Sequence, residues 1–357
     1  MRTLDHYIAR TVLLSMLVVM GLIISVDFIF SVAEELGEIS TYYALGDAMS
    51  FVMMTIPTSI YELLPYVALG GALIGLGILA SSNELIVILA AGISTTRIAW
   101  AVMKPTLLVM VMSLVLGEWI APQLEQQAQS NRALVQSGGE AINTEHGDWH
   151  KIGNEFAHVN AVMPGGRELF GITRYKLHED RRIISSSFAE HGEYLQDATG
   201  GYWLLENVQE TLFGIDEIGT AHHDRYEWRV DLSPELLSVL LVRPERQSIS
   251  GLYRFAQYFD AEGLDSSSYF LAFWKKLLQP LATASLVILA ISFVFGPLRE
   301  ATMGSRVFVA IAIGLAFTIV QRMVGPASLF YGLSPLAAVL LPIILSLILG
   351  AFLLRRT

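Results

Sequence analysis

The chain contains no cysteine, which excludes a disulfide framework and a thiolate metal site. Charge is scarce as well. Asp, Glu, Lys and Arg make up 16% of the residues, against about 25% in soluble domains. The net charge of −10 at pH 7 is opposite to what a nucleic-acid partner needs. No GxxxxGK[ST] run occurs, so there is no P-loop for a nucleotide, and HExxH is missing too. His222 and His223 beside Asp224 are adjacent residues, which is not a recognised zinc spacing. No carboxylate pair falls at mid-depth of an apolar segment, where a protease or proton relay would place one. Together these absences point to a non-enzymatic membrane subunit.

What the chain has in abundance is apolar residues, 53% of the total, gathered into long blocks with the charge between them. Residues 11–30 form a first block, about the length an α-helix needs to cross 30 Å of hydrocarbon. The stretch before it, MRTLDHYIAR, lacks the form of a cleavable signal, so this block is expected to be a retained span. Five more spans are expected at residues 59–79, 98–119, 277–295, 307–324 and 335–354. Pro57 is expected to separate span 2 from an interfacial segment, Gly296-Pro297 to end span 4, and Gly325-Pro326 to end span 5. Arg2, Arg10, Arg97, Lys104, Arg299, Arg306, Arg355 and Arg356 fall on one side of this arrangement. No Lys or Arg lies between Ser31 and Asp47 or between Gly325 and Leu336. The bias places both termini in the cytoplasm and residues 120–270 outside.

That outer segment has another character. Residues 155–159, 171–177 and 226–230 alternate at period two, and breakers such as Pro164-Gly165-Gly166 and Gly200-Gly201 separate such runs. Short strands at this spacing suggest a sandwich or jelly roll. The expected fold class is an α-helical membrane protein with six transmembrane helices, three and three, plus an all-β jelly-roll-like domain. Its parts are residues 1–135, 136–245 and 246–357, the last opening on an interfacial helix near Leu252, Phe255, Ala256 and Phe259 that Gly263 stops.

Ala80 to Gly92, between spans 2 and 3, is the most informative stretch. Ser81-x-x-Glu84 fits a capping box and Gly92 a helix stop, so a short helix over residues 82–92 is expected along the inner face. A partner that moves this helix would tilt both flanking spans, because packed helices move as units. Gly71-xxx-Gly75 permits close helix contact, most simply within the subunit. Charged residues gather near the outer membrane boundary: Glu62, Arg132, Lys275, Lys276 and Arg322. Arg322 lies inside span 5, where a charge needs a cavity or a partner, and Asp27, Glu62 and Glu118 are candidate partners.

These residues resemble the lipopolysaccharide-export permeases of the LptF/LptG family. The resemblance covers essentially the whole chain. It is carried by Leu4-Asp5-x-Tyr7-Ile8, the block from Gly70 to Gly92, Gly117-Glu118-Trp119-x-Ala121-Pro122-Gln123, Ser248-Ile249-Ser250-Gly251-Leu252, Gln279-Pro280-Leu281 and Phe293-x-Phe295-Gly296-Pro297-Leu298-Arg299. It implies one permease subunit of a heterodimer with an LptF-like second six-span chain. A cytoplasmic LptB-like ABC ATPase dimer, an LptC-like single-span partner beside span 1, and lipopolysaccharide are implied as partners. It also implies a Gram-negative inner-membrane location, with the β domain in the periplasm as a jelly roll of a bridge toward the outer membrane. The chain itself would bind no cofactor, since ATP and Mg would belong to the ATPase. Glu84, Leu85, Ile88, Leu89 and Gly92 match the ATPase-coupling helix, and Arg132 a basic position at the substrate cavity. The family carries lysines after span 1, where this chain has Glu34, Glu35 and Glu38. Lipid charge is therefore expected to meet Arg132, Lys275, Lys276 or Arg322, with Glu62 nearby, or else the partner subunit or divalent cations. Spans 1 and 5 would be lateral gates. Phe156, Phe170, Phe188, Trp203 and Phe213 are candidates for the apolar interior that acyl chains require. The rivals are a secondary transporter, which would need an ion site at mid-depth, and a non-transporting scaffold with a periplasmic interaction domain.

Overall fold

The computed structural model describes residues 2–40, 42–136, 149–152, 155–162, 167–178, 180, 182–197, 200–214, 218–230, 234, 244–261, 266–296 and 302–355. Of the positions named above, 164–166, Gly263, 297–299 and Arg356 lie outside the described residues. The chain divides into two compact units. One comprises Met1–Phe30, Ile56–Pro122 and Ser248–Thr357, the other Ser31–Thr55 and Gln123–Gln247.

The helices are α1 (Arg2–Leu36), α2 (Leu45–Ser81), α3 (Glu84–Ala90), α4 (Thr95–Val115), α5 (Ala121–Gln136), α6 (Ile249–Ala261), α7 (Ser267–Leu277), α8 (Gln279–Phe295), α9 (Met303–Phe330) and α10 (Pro335–Arg355). A π-helical turn, Leu116–Ile120, joins α4 to α5. Among the described residues, five helical stretches are long and apolar enough to cross a membrane, or six if the pair α7–α8, bent by 50°, is one span. Three of the five precede the strands, and α9, α10 and the bent pair follow them.

Three expected boundaries move. α2 runs straight through Pro57 and Pro65, so no separate interfacial segment precedes span 2. α9 runs through Gly325 and Pro326 to Phe330. In apolar surroundings a broken helical turn has no water to replace its hydrogen bonds, so prolines are absorbed rather than used as stops. Span 3 continues past Trp119, because the π turn carries the helix on into α5.

In the first unit the core lies between α1, α2, α4, α8 and α10. α8 is buried almost throughout, and its Ser292 hydroxyl donates to the Gly350 carbonyl of α10 at 2.8 Å. The Gly71-xxx-Gly75 pair does pack within the subunit. A Cβ on Gly71 would lie 2.6 Å from Met16 Cα, and one on Gly75 would lie 2.8 Å from Val12 Cα. Backbone therefore meets backbone where α2 crosses α1. Gly117 plays the same part in the π turn, where a Cβ would lie 2.5 Å from the Tyr61 ring. The turn also aims Glu118 at the start of α6. Its carboxylate accepts the N–H groups of Ile249 at 2.8 Å and Ser250 at 3.3 Å, together with the Ser250 hydroxyl. A carboxylate at a helix N-terminus satisfies orphan donors and complements the helix dipole. Glu118 is thus a cap and not a partner of Arg322.

In the second unit, six strands pair antiparallel in sequence order: β1 (Trp149–Ile152), β2 (Glu155–Val162), β3 (Glu168–Leu177), β4 (Ile183–Asp197), β5 (Gly200–Phe213) and β6 (Ile218–Trp228). Among the described residues this is an up-and-down meander, without the crossovers of a jelly roll. One face carries Ala157, Val159, Leu169, Ile172, Ala189, Trp203, Leu205, Val208 and Trp228, all buried together. The sheet curls around them, since Trp228 Nε1 on β6 donates to Glu155 on β2 at 3.0 Å. Of the five aromatics expected inside, Trp203 is fully buried. Phe156, Phe170 and Phe188 are only half-buried. Phe156 and Phe188 alternate with the buried Ala157 and Ala189, and the period of two turns them to the other face. Phe213 is exposed.

Gly71→Leu is expected to force α1 off α2 and lower stability by about 1–3 kcal/mol, the usual cost of overpacking. The readout is the unfolding midpoint of detergent-purified protein. Gly21→Ala, on α1 with open space around the added methyl, should leave that midpoint unchanged.

Candidate coupling and substrate sites

The short helix expected along the inner face is α3, but it does not begin with a capping box. Ser81 still belongs to α2 and its hydroxyl returns to the Ile78 carbonyl at 2.9 Å. Asn83 precedes the helix in the left-handed region, φ 60°, with no side-chain cap. Glu84 is therefore released from capping. Its carboxylate accepts the Tyr7 hydroxyl at 2.8 Å and the Ser82 hydroxyl at 3.0 Å. Tyr7 lies on α1, so the start of α3 is tied to the first turns of α1. Two steps earlier, Asp5 meets Arg97 at 3.1 Å and Lys104 at 3.7 Å, both on α4. Gly92 ends α3 as expected, at φ +80°, a conformation that glycine adopts freely.

α3 has an inward and an outward face. Leu85 and Ile88 are buried in the helical core, and Leu89 packs against it. They follow the i, i+3, i+4 spacing of an inward stripe. Ile86 at 47% and Val87 at 67% exposure are the apolar residues that face outward. They sit off that stripe, and reading the spacing as a burial signal would have found them. Leu85, Ile88 and Leu89 thus anchor the helix and leave Ile86 and Val87 outward.

Arg132 lies on α5 in the second unit. Its Nε is 3.1 Å from Glu35 Oε1 and its Nη2 is 3.4 Å from Glu38 Oε2. The guanidinium rests over the Phe51 ring, 4.9 Å from its centroid. Glu35 is 4% exposed and also accepts the Tyr43 hydroxyl at 2.7 Å. Burial first, and then that bond to Glu35, push the Tyr43 hydroxyl pKa well above its ordinary value, so it remains a donor at physiological pH. A cavity of about 280 Å³ opens beside the arginine, bordered by Tyr43, Asp47, Phe51, Met54 and Asn131. The acidic loop after span 1 is thus the arginine's own counter-charge. Glu35 and Glu38 lie some hundred positions from Arg132 in sequence, and no local pattern joins them.

The remaining candidates belong to the first unit. Lys276 is 7% exposed and its ammonium lies 5.2 Å from the Tyr61 ring centroid. This is a packed side chain and not one reaching into open space. Lys275 and Glu62 are exposed. Arg322 is exposed on α9 and forms no ion pair among the described residues. On β6, His222 lies 3.5 Å from Asp224 and His223 lies 3.6 Å from Glu210. Among the described residues no three such groups converge to hold a metal ion.

Comparison with known proteins adds to this geometry. Residues 6–356 match the model of the lipopolysaccharide export system permease LptF/LptG family. The lipopolysaccharide export system permease protein LptG of Escherichia coli (strain K12) is 34% identical over 356 residues, 99% of this chain and 98% of that protein. LptG of Haemophilus influenzae (strain ATCC 51907 / DSM 11121 / KW20 / Rd) is 34% identical over 355 residues, with the same coverage of each. From end to end, then, the chain belongs to the LptF/LptG family of lipopolysaccharide export system permeases.

Proposed function

We propose that this chain is one permease subunit of an ATP-driven exporter that takes lipopolysaccharide out of the inner membrane and passes it to a periplasmic bridge. The observation that carries the reading is the unbroken match to LptG proteins over 99% of the chain. The geometry supports a division of labour. A separate cytoplasmic ATPase dimer, using ATP and Mg, docks against α3 at Ile86 and Val87. Its closure moves α3, and the Tyr7–Glu84 and Asp5–Arg97 contacts carry that motion to α1 and α4. α1 and α9 bury only 17% of the residues in their most apolar stretch, against 72% for α2. These two open faces suit the gate lines with a second six-span subunit and the seat of a single-span partner. In this reading three spans lie before and three after the β unit, both termini are cytoplasmic and the β unit is periplasmic.

Lipid phosphate is received at the Arg132 cavity, and acyl chains run along the apolar spans. An exposed CH₂ costs about 0.8 kcal/mol, so the chains must pass from hydrocarbon to an apolar protein surface. The buried face of the meander around Trp203, Leu205 and Trp228 is that surface, and with its neighbours in the bridge the sheet forms the jelly-roll conduit.

Glu84→Lys replaces the acceptor of two hydroxyls with a cation. It is expected to cut lipid released per ATP on the order of tenfold, within the usual range of coupling energies, while the protein accumulates normally in the membrane. Wild-type export in cells carrying only the variant would contradict the coupling role. Arg132→Glu is expected to reduce the lipopolysaccharide that co-purifies with the complex without lowering its ATPase content. Equal lipid in variant and wild type would remove Arg132 from the substrate path.

A further inference from the structure

Arg132 does not meet the cavity as a free cation, because two carboxylates hold it. We propose that Glu35 is a positioning and specificity residue. It aims the Arg132 guanidinium at the cavity and subtracts from its charge, so that the site grades lipid headgroups by how many phosphates they carry. This rests on the reading of Arg132 as a headgroup contact.

Glu35 and Tyr43 are 4% and 1% exposed. A buried carboxylate persists only when it is paired, and here Glu35 Oε1 accepts the Tyr43 hydroxyl and lies 3.1 Å from Arg132 Nε. Glu35 is thereby fixed, and it fixes the arginine's Nε edge while Phe51 supports the flat face. A guanidinium has five N–H donors. Nε lies within ion-pair distance of Glu35 without a hydrogen bond to it and Nη2 within ion-pair distance of Glu38, while Nη1 has no ion-pair or hydrogen-bond partner among the described residues. That corner is what a headgroup oxygen in the cavity would reach.

The charge count sets the selectivity. Arg132 contributes +1, and Glu35, Glu38 and the cavity-lining Asp47 contribute −3, which leaves −2. Such a site binds one phosphate oxygen pair through directed hydrogen bonds, yet it resists each further negative charge. A like charge about 12 Å from the bound phosphate weakens binding on the order of tenfold at protein-surface dielectric values.

The test uses the purified whole complex and two probes: lipopolysaccharide with both lipid phosphates, and the same lipid after one phosphate has been removed by acid hydrolysis. Glu35→Gln keeps an acceptor for Tyr43 and removes the charge. It is expected to tighten binding of the two-phosphate lipid on the order of tenfold and of the one-phosphate lipid distinctly less. A change of equal size for both lipids, or a loss for both, would make Glu35 a purely structural residue and overturn the proposal. Should Glu35→Gln fail to assemble, Glu38→Gln, at a 45% exposed side chain, tests the same compensation with a smaller gain in the same direction. No gain there overturns it equally. If Arg132→Gln alone leaves binding of both lipids unaltered, the headgroup reading of Arg132 fails, which is a separate result.

Discussion

Two helices touch here through their backbones, and the first unit depends on that contact. Lipid chains are as apolar as leucine, so burial of apolar surface gives helices little reason to associate in a bilayer. Close van der Waals approach at small residues does the holding instead. Gly71 and Gly75 let α2 settle against Met16 and Val12 of α1. α1 would otherwise be poorly held, since most of its surface faces outward. Fixed there, its first turns reach Glu84 on one side and Arg97 and Lys104 on the other. Tightly packed helices do not deform continuously, so a push on α3 is passed along as movement of whole helices.

A second constraint is charge. Burying an ion forces the chain to supply its partner, and the described residues show this repeatedly. Arg306, 1% exposed, donates to the Gly77 carbonyl at 2.7 Å. Arg246 meets the buried Glu125 at 2.6 Å. Arg174, 6% exposed, pairs with Glu155 at 3.1 Å and lies over the rings of Tyr226 and Trp228. The Arg132 cluster follows the same rule.

Much of the helical plan was legible in the sequence, since a run of some twenty apolar residues has few other uses. The Gly71-xxx-Gly75 contact and the stop at Gly92 were legible for a similar reason, as glycine marks places where no side chain fits. Boundaries were less so. Pro57 and Gly325-Pro326 read as breaks by soluble-protein logic, which assumes water to satisfy the freed carbonyls. The spacing of Leu85, Ile88 and Leu89 is that of an anchored stripe, and in the structure they pack into the helical core. Ser81 and Glu84 had capping-box spacing, but a hydroxyl from α1 competed for the glutamate. The hidden part was whatever joins distant segments: Glu35 to Arg132, Glu118 to the start of α6, Glu155 to Trp228. Each brings together residues that share no local pattern.

The central claim is that this permease does its work only when a separate ATPase drives it. The direct measurement is to capture the chain from native membranes with its partners, place the assembly in lipid vesicles with bound lipopolysaccharide, and follow lipid leaving the complex with and without ATP. The account predicts an ATP-hydrolysing preparation that releases lipid to a soluble acceptor only when ATP is present. Release at the same rate without nucleotide, or a captured assembly devoid of ATPase, would contradict it.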